Sequence, residues 1–155
     1  QRGGGAAAGL RRGAYVLADA PAGTTLRALL LASGSEVELA LAAHAELAAQ
    51  GVPTRVVSFP SWELFERQDA AYRESVLPGA VRARLAIEAG SPLGWHRYVG
   101  VDGDVLGQEG FGASAPYQDL ARHFGYTQDE VVRRVKALLG EAPDRRPEPA
   151  PGGLD

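Results

Sequence analysis

The chain has 155 residues, enough for one domain with a sizeable core and too few for a second. A net charge of −3 excludes the basic footprint of a nucleic-acid binder, and the lack of cysteine excludes disulfides, thiolate nucleophiles and cysteine metal sites. No apolar run approaches the roughly 20 residues of a membrane helix. Gln1–Gly9 also lacks the apolar stretch of a secretion signal, so a cytoplasmic protein with no membrane partner is expected.

In chain order, Gln1–Arg12 is Gly-rich and aperiodic, and is expected to be a flexible leader. Ala14–Ala18 reads as a short strand followed by a turn at Pro21-Ala22-Gly23. Arg27–Ala32 is an apolar run of strand length, the pattern of a strand buried on both faces. Ser33-Gly34-Ser35-Glu36 then opens a long helix with a wide apolar stripe, including Val37, Leu41 and Leu47, and Gly51 stops it.

Thr54–Phe59 is a second buried strand. Ser61 is placed to cap a short helix through Arg67, and Asp69 another through Val76, before Pro78-Gly79 breaks the chain. Arg82–Glu88 is a third buried strand, Leu93–Val99 a short helix and Asp104–Leu106 a weak strand. Pro116–Phe124 and Thr127–Leu139 read as the last helices, the second opened by the Thr127/Glu130 capping pair. Glu141–Asp155 sets four prolines among charges and glycines, and its small apolar content predicts a disordered tail.

The folded unit is therefore Gly13–Gly140. Its alternating elements predict an α/β class: a three-layer α/β/α domain on a mostly parallel, mixed, twisted sheet of about five strands. Strand order is not readable from the pattern.

The most site-like feature is Ser33-Gly34-Ser35, where a buried strand turns into the long helix. Ligands of open α/β sheets bind beyond the carboxyl ends of strands, and helix N-termini attract anions. Against this, a serine there also serves simply as a cap, with Glu36 complementing the helix dipole. Glu88 ends the third strand at the same edge, as a base, a cation ligand or merely an acceptor for the next loop. Ser33, Gly34, Ser35 and Glu88 together make the candidate anion or regulatory site.

Other motifs are weaker. No GxGxxG or Walker motif supports a dinucleotide or nucleoside triphosphate. His44, His96 and His123 have no metal-ligand spacing and read as packing or surface residues. Ser114 lies in GASAP rather than the GxSxG elbow, and reads as a cap for the helix that Pro116 helps start. Trp62, Phe65, Tyr72, Trp95, Tyr98, Phe111 and Tyr117 crowd the loop-rich half and suggest a packing surface for another domain.

Several segments, in register, resemble the C-terminal domain of transketolase from about Gly13 to Gly140. They are Gly13–Leu17, Ser33–Val37, Arg55–Ser61, Gln68–Pro78, Glu88–Gly90, Trp95, Tyr98–Gly100, Phe111–Pro116 and Phe124–Thr127. The resemblance implies part of a homodimeric, thiamine-diphosphate-dependent transferase that moves a two-carbon ketol unit between sugar phosphates in the pentose phosphate pathway. In that family the cofactor, its divalent metal (Mg) and the sugars are held by the other two domains. The GDG cofactor motif and the activating glutamate of the middle domain are absent here. The resemblance therefore implies no catalytic, cofactor or metal residue on this chain, a fragment beginning just after the middle domain, and the remaining transketolase domains or subunits as partners. Two other readings stand beside it: a small-anion or nucleotide-binding regulatory module, and a docking subunit of a split transketolase.

Overall fold

The computed structural model describes residues 2–90, 93–107 and 126–141. Strands β1 (Tyr15–Ala18), β2 (Ala28–Ala32), β3 (Thr54–Ser58), β4 (Arg84–Glu88) and β5 (Asp104–Gly107) form a five-stranded sheet ordered β1-β3-β2-β4-β5. β1 joins β3 antiparallel at one edge, and the β3-β2-β4-β5 pairings are all parallel. The expected class, a mostly parallel mixed sheet within an α/β domain, is what forms.

Both faces of the sheet are covered, which is why β2 reads as unbroken apolar sequence: all five of its residues are buried. Successive side chains point to opposite faces. Leu30, with Val56, Leu85 and Ile87, packs under helices α2 (Glu36–Ala49) and α6 (Gln128–Leu138) through Ala43, Leu47, Val131 and Val135. Leu29 and Leu31, with Val57 and Ala86, face α3 (Trp62–Glu66), α4 (Ala70–Val76) and α5 (His96–Val99) through Phe65, Val76 and Tyr98.

The caps form where the residue types placed them. Ser61 Oγ accepts from Leu64 N at 3.2 Å, Asp69 Oδ1 from Tyr72 N at 2.7 Å, and Thr127 Oγ1 from Glu130 N at 3.2 Å. Glu130 does not reach back to complete a capping box. Its carboxylate instead holds Arg133 Nε at 2.8 Å and Arg134 Nε at 3.0 Å, one turn further on.

The leader differs from expectation. Arg2–Arg12 is a helix, α1. It approaches β1 closely at Gly9, where a Cβ would run into the Tyr15 ring. It ends at Gly13, whose φ of +85° and tight seat against the Ser61 carbonyl and Phe65 amide admit no side chain. The sequence shows no period there because the helix packs through glycine and backbone rather than through large apolar side chains. The helix expected at Pro116–Phe124, Ser114, and the tail beyond Glu141 lie outside the described residues.

Candidate functional site

β2 and β4 are neighbours whose connections leave in opposite directions, β2 to β3 and β4 to β5. That makes their carboxyl ends the switch point where open α/β sheets bind ligands. Ser33 follows β2 and Glu88 ends β4. The structure brings both to one cleft of about 340 Å³, walled by Phe59, Trp62 and Trp95.

The expected anion contacts do not assemble there. Ser35 occupies the N-cap position of α2 with helical backbone angles, and its side chain accepts no amide bond. Its hydroxyl instead donates to Glu36 Oε1 at 2.9 Å, and Glu36 is only 5% exposed. Gly34, at φ +60°, tightens the turn so that Glu36 N and Val37 N point to the Ser33 and Gly34 carbonyls at 3.4 and 3.3 Å. The positive end of α2 is thus already answered by the Glu36 and Glu38 carboxylates of its first turn.

Glu88 is engaged as well. Oε1 accepts from Gly90 N at 3.0 Å and Oε2 from Trp95 Nε1 at 2.9 Å, while its backbone carbonyl accepts from the Tyr126 hydroxyl. It is the loop acceptor of the plainer reading, and it anchors Trp95. With Glu63 and Glu88 on its lining and no basic residue among the described residues there, the cleft disfavours phosphate.

The aromatic residues are the feature the composition misplaced. Phe59, Phe65, Trp95 and Tyr98 are buried and packed edge-to-face or tilted on one another, Phe59–Phe65 at 5.0 Å and Phe59–Tyr98 at 4.6 Å between centroids, with Trp62 closing on Trp95 at 5.1 Å. They form this domain's own core. Phe111 and Tyr117 lie outside the described residues. Burial, reinforced by the hydrogen bond to Glu66, pushes the Tyr98 phenol up to about 12, so it remains a donor at any working pH.

His44 sits half-buried on α2 with Nδ1 2.8 Å from Thr54 Oγ1, and His96 opens α5 at the surface. His123 lies outside the described residues. Among the described residues no group of three histidine or acidic side chains is arranged to hold a metal ion.

The family model for the transketolase-like TK C-terminal domain matches residues 13–127. This chain belongs to the transketolase C-terminal domain family. It is 54% identical over 133 residues to a transketolase of Geobacillus stearothermophilus, covering 86% of this chain and 20% of that protein. It is 52% identical over 132 residues to transketolase 1 of Escherichia coli K12, covering 85% of this chain and 20% of that one. Among solved structures, transketolase from Leishmania mexicana superposes with a TM-score of 0.77 at 42% identity, over 88% of this chain and 19% of that chain. The chain thus spans about a fifth of the length of the transketolases it matches. As a transketolase C-terminal domain, it has a carboxyl-edge cleft occupied by its own structural bonds.

Proposed function

We propose that this chain is the architectural C-terminal domain of a thiamine-diphosphate-dependent transketolase and is non-catalytic by itself. The complete enzyme moves a two-carbon ketol unit between sugar phosphates in the cytoplasm, as a homodimer that uses a divalent metal. The observation that carries the reading is the 54% identity to a transketolase across 86% of this chain, confined to a fifth of that relative's length.

The residues present do not fit the cofactor. The switch-point carboxylate, Glu88, has both oxygens committed to Gly90 and Trp95, and a diphosphate placed in the cleft would meet Glu63 and Glu88. The domain's contribution is instead a rigid block on which the thiamine-binding domains pack. Leu93 at 79% exposure and Val101 at 93%, on either side of α5, supply apolar surface for that contact.

The test incubates the purified chain with thiamine diphosphate, magnesium, a ketose phosphate donor and an aldose phosphate acceptor. No ketol transfer is expected. A second arm mixes the chain with separately produced catalytic domains of a relative, and co-purification is expected. Transfer by the chain alone would overturn the proposal, and failure to associate would remove its architectural half.

The regulatory-module reading keeps one point in its favour, the shared cleft of Ser33 and Glu88. Its acidic lining speaks against the anion that reading needs.

A further inference from the structure

A second hollow, of about 430 Å³, opens among α3, α4 and α5, and Arg73, Arg84, Arg97, Glu66 and Tyr98 line it. Its arginines differ in what they already hold. Arg84 spends its guanidinium on the backbone: Nε donates to the Val81 carbonyl at 2.9 Å, Nη1 to Tyr98 at 2.7 Å, and Nη2 to Pro78 at 2.9 Å and Leu77 at 3.3 Å. It ties the end of α4 to α5, with four of its five N–H groups committed to backbone carbonyls.

Arg73 is different. Its Nε is buried and has no hydrogen-bond partner among the described residues. Its ion pair with Glu66 is loose, 3.9 Å from Nη1 to Oε2, while Glu66 Oε1 accepts the Tyr98 hydroxyl at 2.8 Å. Arg97 is exposed, with its guanidinium 5.8 Å from the Tyr98 ring centroid, and it pairs with no carboxylate of the described residues.

A buried N–H is costly to leave without an acceptor, and each such group in a native protein calls for an ion, a water or a ligand to answer it. A guanidinium is a planar fork of donors shaped for the paired oxygens of a carboxylate or phosphate. The hollow sets three guanidinium groups against the Glu66 and Glu74 carboxylates, so an excess of positive charge faces its opening. Glu74 is further drawn off by the Gly79 amide, which donates to it at 2.9 Å.

We propose that this hollow binds an oxyanion, a carboxylate or phosphate group, between the guanidinium groups of Arg73 and Arg97 that line it. The site is separate from the Ser33–Glu88 cleft and does not depend on the architectural reading.

The test titrates the intact chain with inorganic phosphate and, separately, with malonate, following the arginine Nε–H resonances by heteronuclear NMR. A saturable shift of the Arg73 resonance is expected, with a Kd on the order of millimolar. Phosphate acting alone would assign a phosphate site, malonate alone a carboxylate site, and both a general oxyanion site. Each outcome supports the proposal. Calorimetry on Arg97→Ala, at an exposed position that leaves the fold intact, should show binding weakened by about tenfold or more. Arg73→Lys keeps the charge but loses the fork and should weaken it comparably, whereas Ser35→Ala should change nothing. No shift with either probe at about ten times a millimolar Kd, or binding that survives Arg97→Ala undiminished, overturns the proposal.

Discussion

Trp95 Nε1 donates to Glu88 Oε2 at 2.9 Å, joining the last residue of β4 to the residue just before α5. Glu88 Oε1 holds the intervening turn through Gly90 N, and the Tyr126 hydroxyl reaches the Glu88 carbonyl from the segment before α6. A carboxylate at the switch point of a parallel sheet is where chemistry is usually sought. In this domain it holds the loop and the aromatic core in register.

Replacing Glu88 by Gln tests that role. The amide keeps one acceptor oxygen and turns an NH2 toward either Gly90 N or Trp95 Nε1. The variant is expected to lose about 1–3 kcal/mol of stability by urea denaturation. A double-mutant cycle with Trp95→Phe should show coupling of about 1 kcal/mol. Additive losses would mean that the two side chains do not act together.

Acid should destabilise the domain in two stages. His44 is pushed below its ordinary 6.5, first by burial. Asp19 lies below its ordinary 3.8 chiefly through the hydrogen bond from Arg55, and Glu130 below 4.5 chiefly through Arg133. For each of these groups the unfolded chain binds its proton at higher pH than the folded one. Their stabilising effect is therefore complete above 6.5 and declines as pH falls, first through the histidine range and then through the carboxylate range below 4.5. The urea midpoint should fall monotonically from neutral pH downward. His44→Gln should flatten the upper stage and Asp19→Asn the lower, and a midpoint that rises on acidification would refute the assignment.

Leu30 is fully buried at the centre of β2, beneath α2 and α6. Leu30→Ala should cost about 2–5 kcal/mol through lost burial and a cavity, with the denaturant slope unchanged. A cost under about 1 kcal/mol would mean that this face of the sheet is not the tight core described.

What could be read in advance follows from how locally each feature is encoded. β2 was legible because burial on both faces leaves no polar residue in Ala28–Ala32, and the Ser61, Asp69 and Thr127 caps because those side chains bond only a few residues ahead. Strand order was not, since nothing local says that the chain leaving β3 crosses over β2 so that β4 pairs with its far edge. Helix α1 was hidden because its docking residue is Gly9, which carries no apolar signal. The aromatic residues were legible as a cluster but not as a core, because composition does not tell an inward ring from an outward one. At the candidate site, the sequence put Ser33 and Glu88 at one strand edge, and both line one cleft. It did not predict that Trp95 consumes the carboxylate. That Arg73 and Arg97 line one hollow left no mark, since they come from separate helices and no spacing in the sequence links them.

Gly13 probes how firmly α1 is seated. Its φ of +85° and the nearness of the Ser61 carbonyl and Phe65 amide leave no room for a methyl group. Gly13→Ala should destabilise by about 1–3 kcal/mol and should increase amide hydrogen exchange across α1. Unchanged exchange there would mean that the helix is held by other contacts.

The most direct measurement is a chimera in which this chain replaces the C-terminal fifth of one of its bacterial relatives, assayed for thiamine-dependent ketol transfer. Activity within about tenfold of the parent, with little or none in the parent lacking that fifth, is the predicted result. A chimera no better than the truncated enzyme, or ketol transfer by this chain alone, would contradict an architectural role.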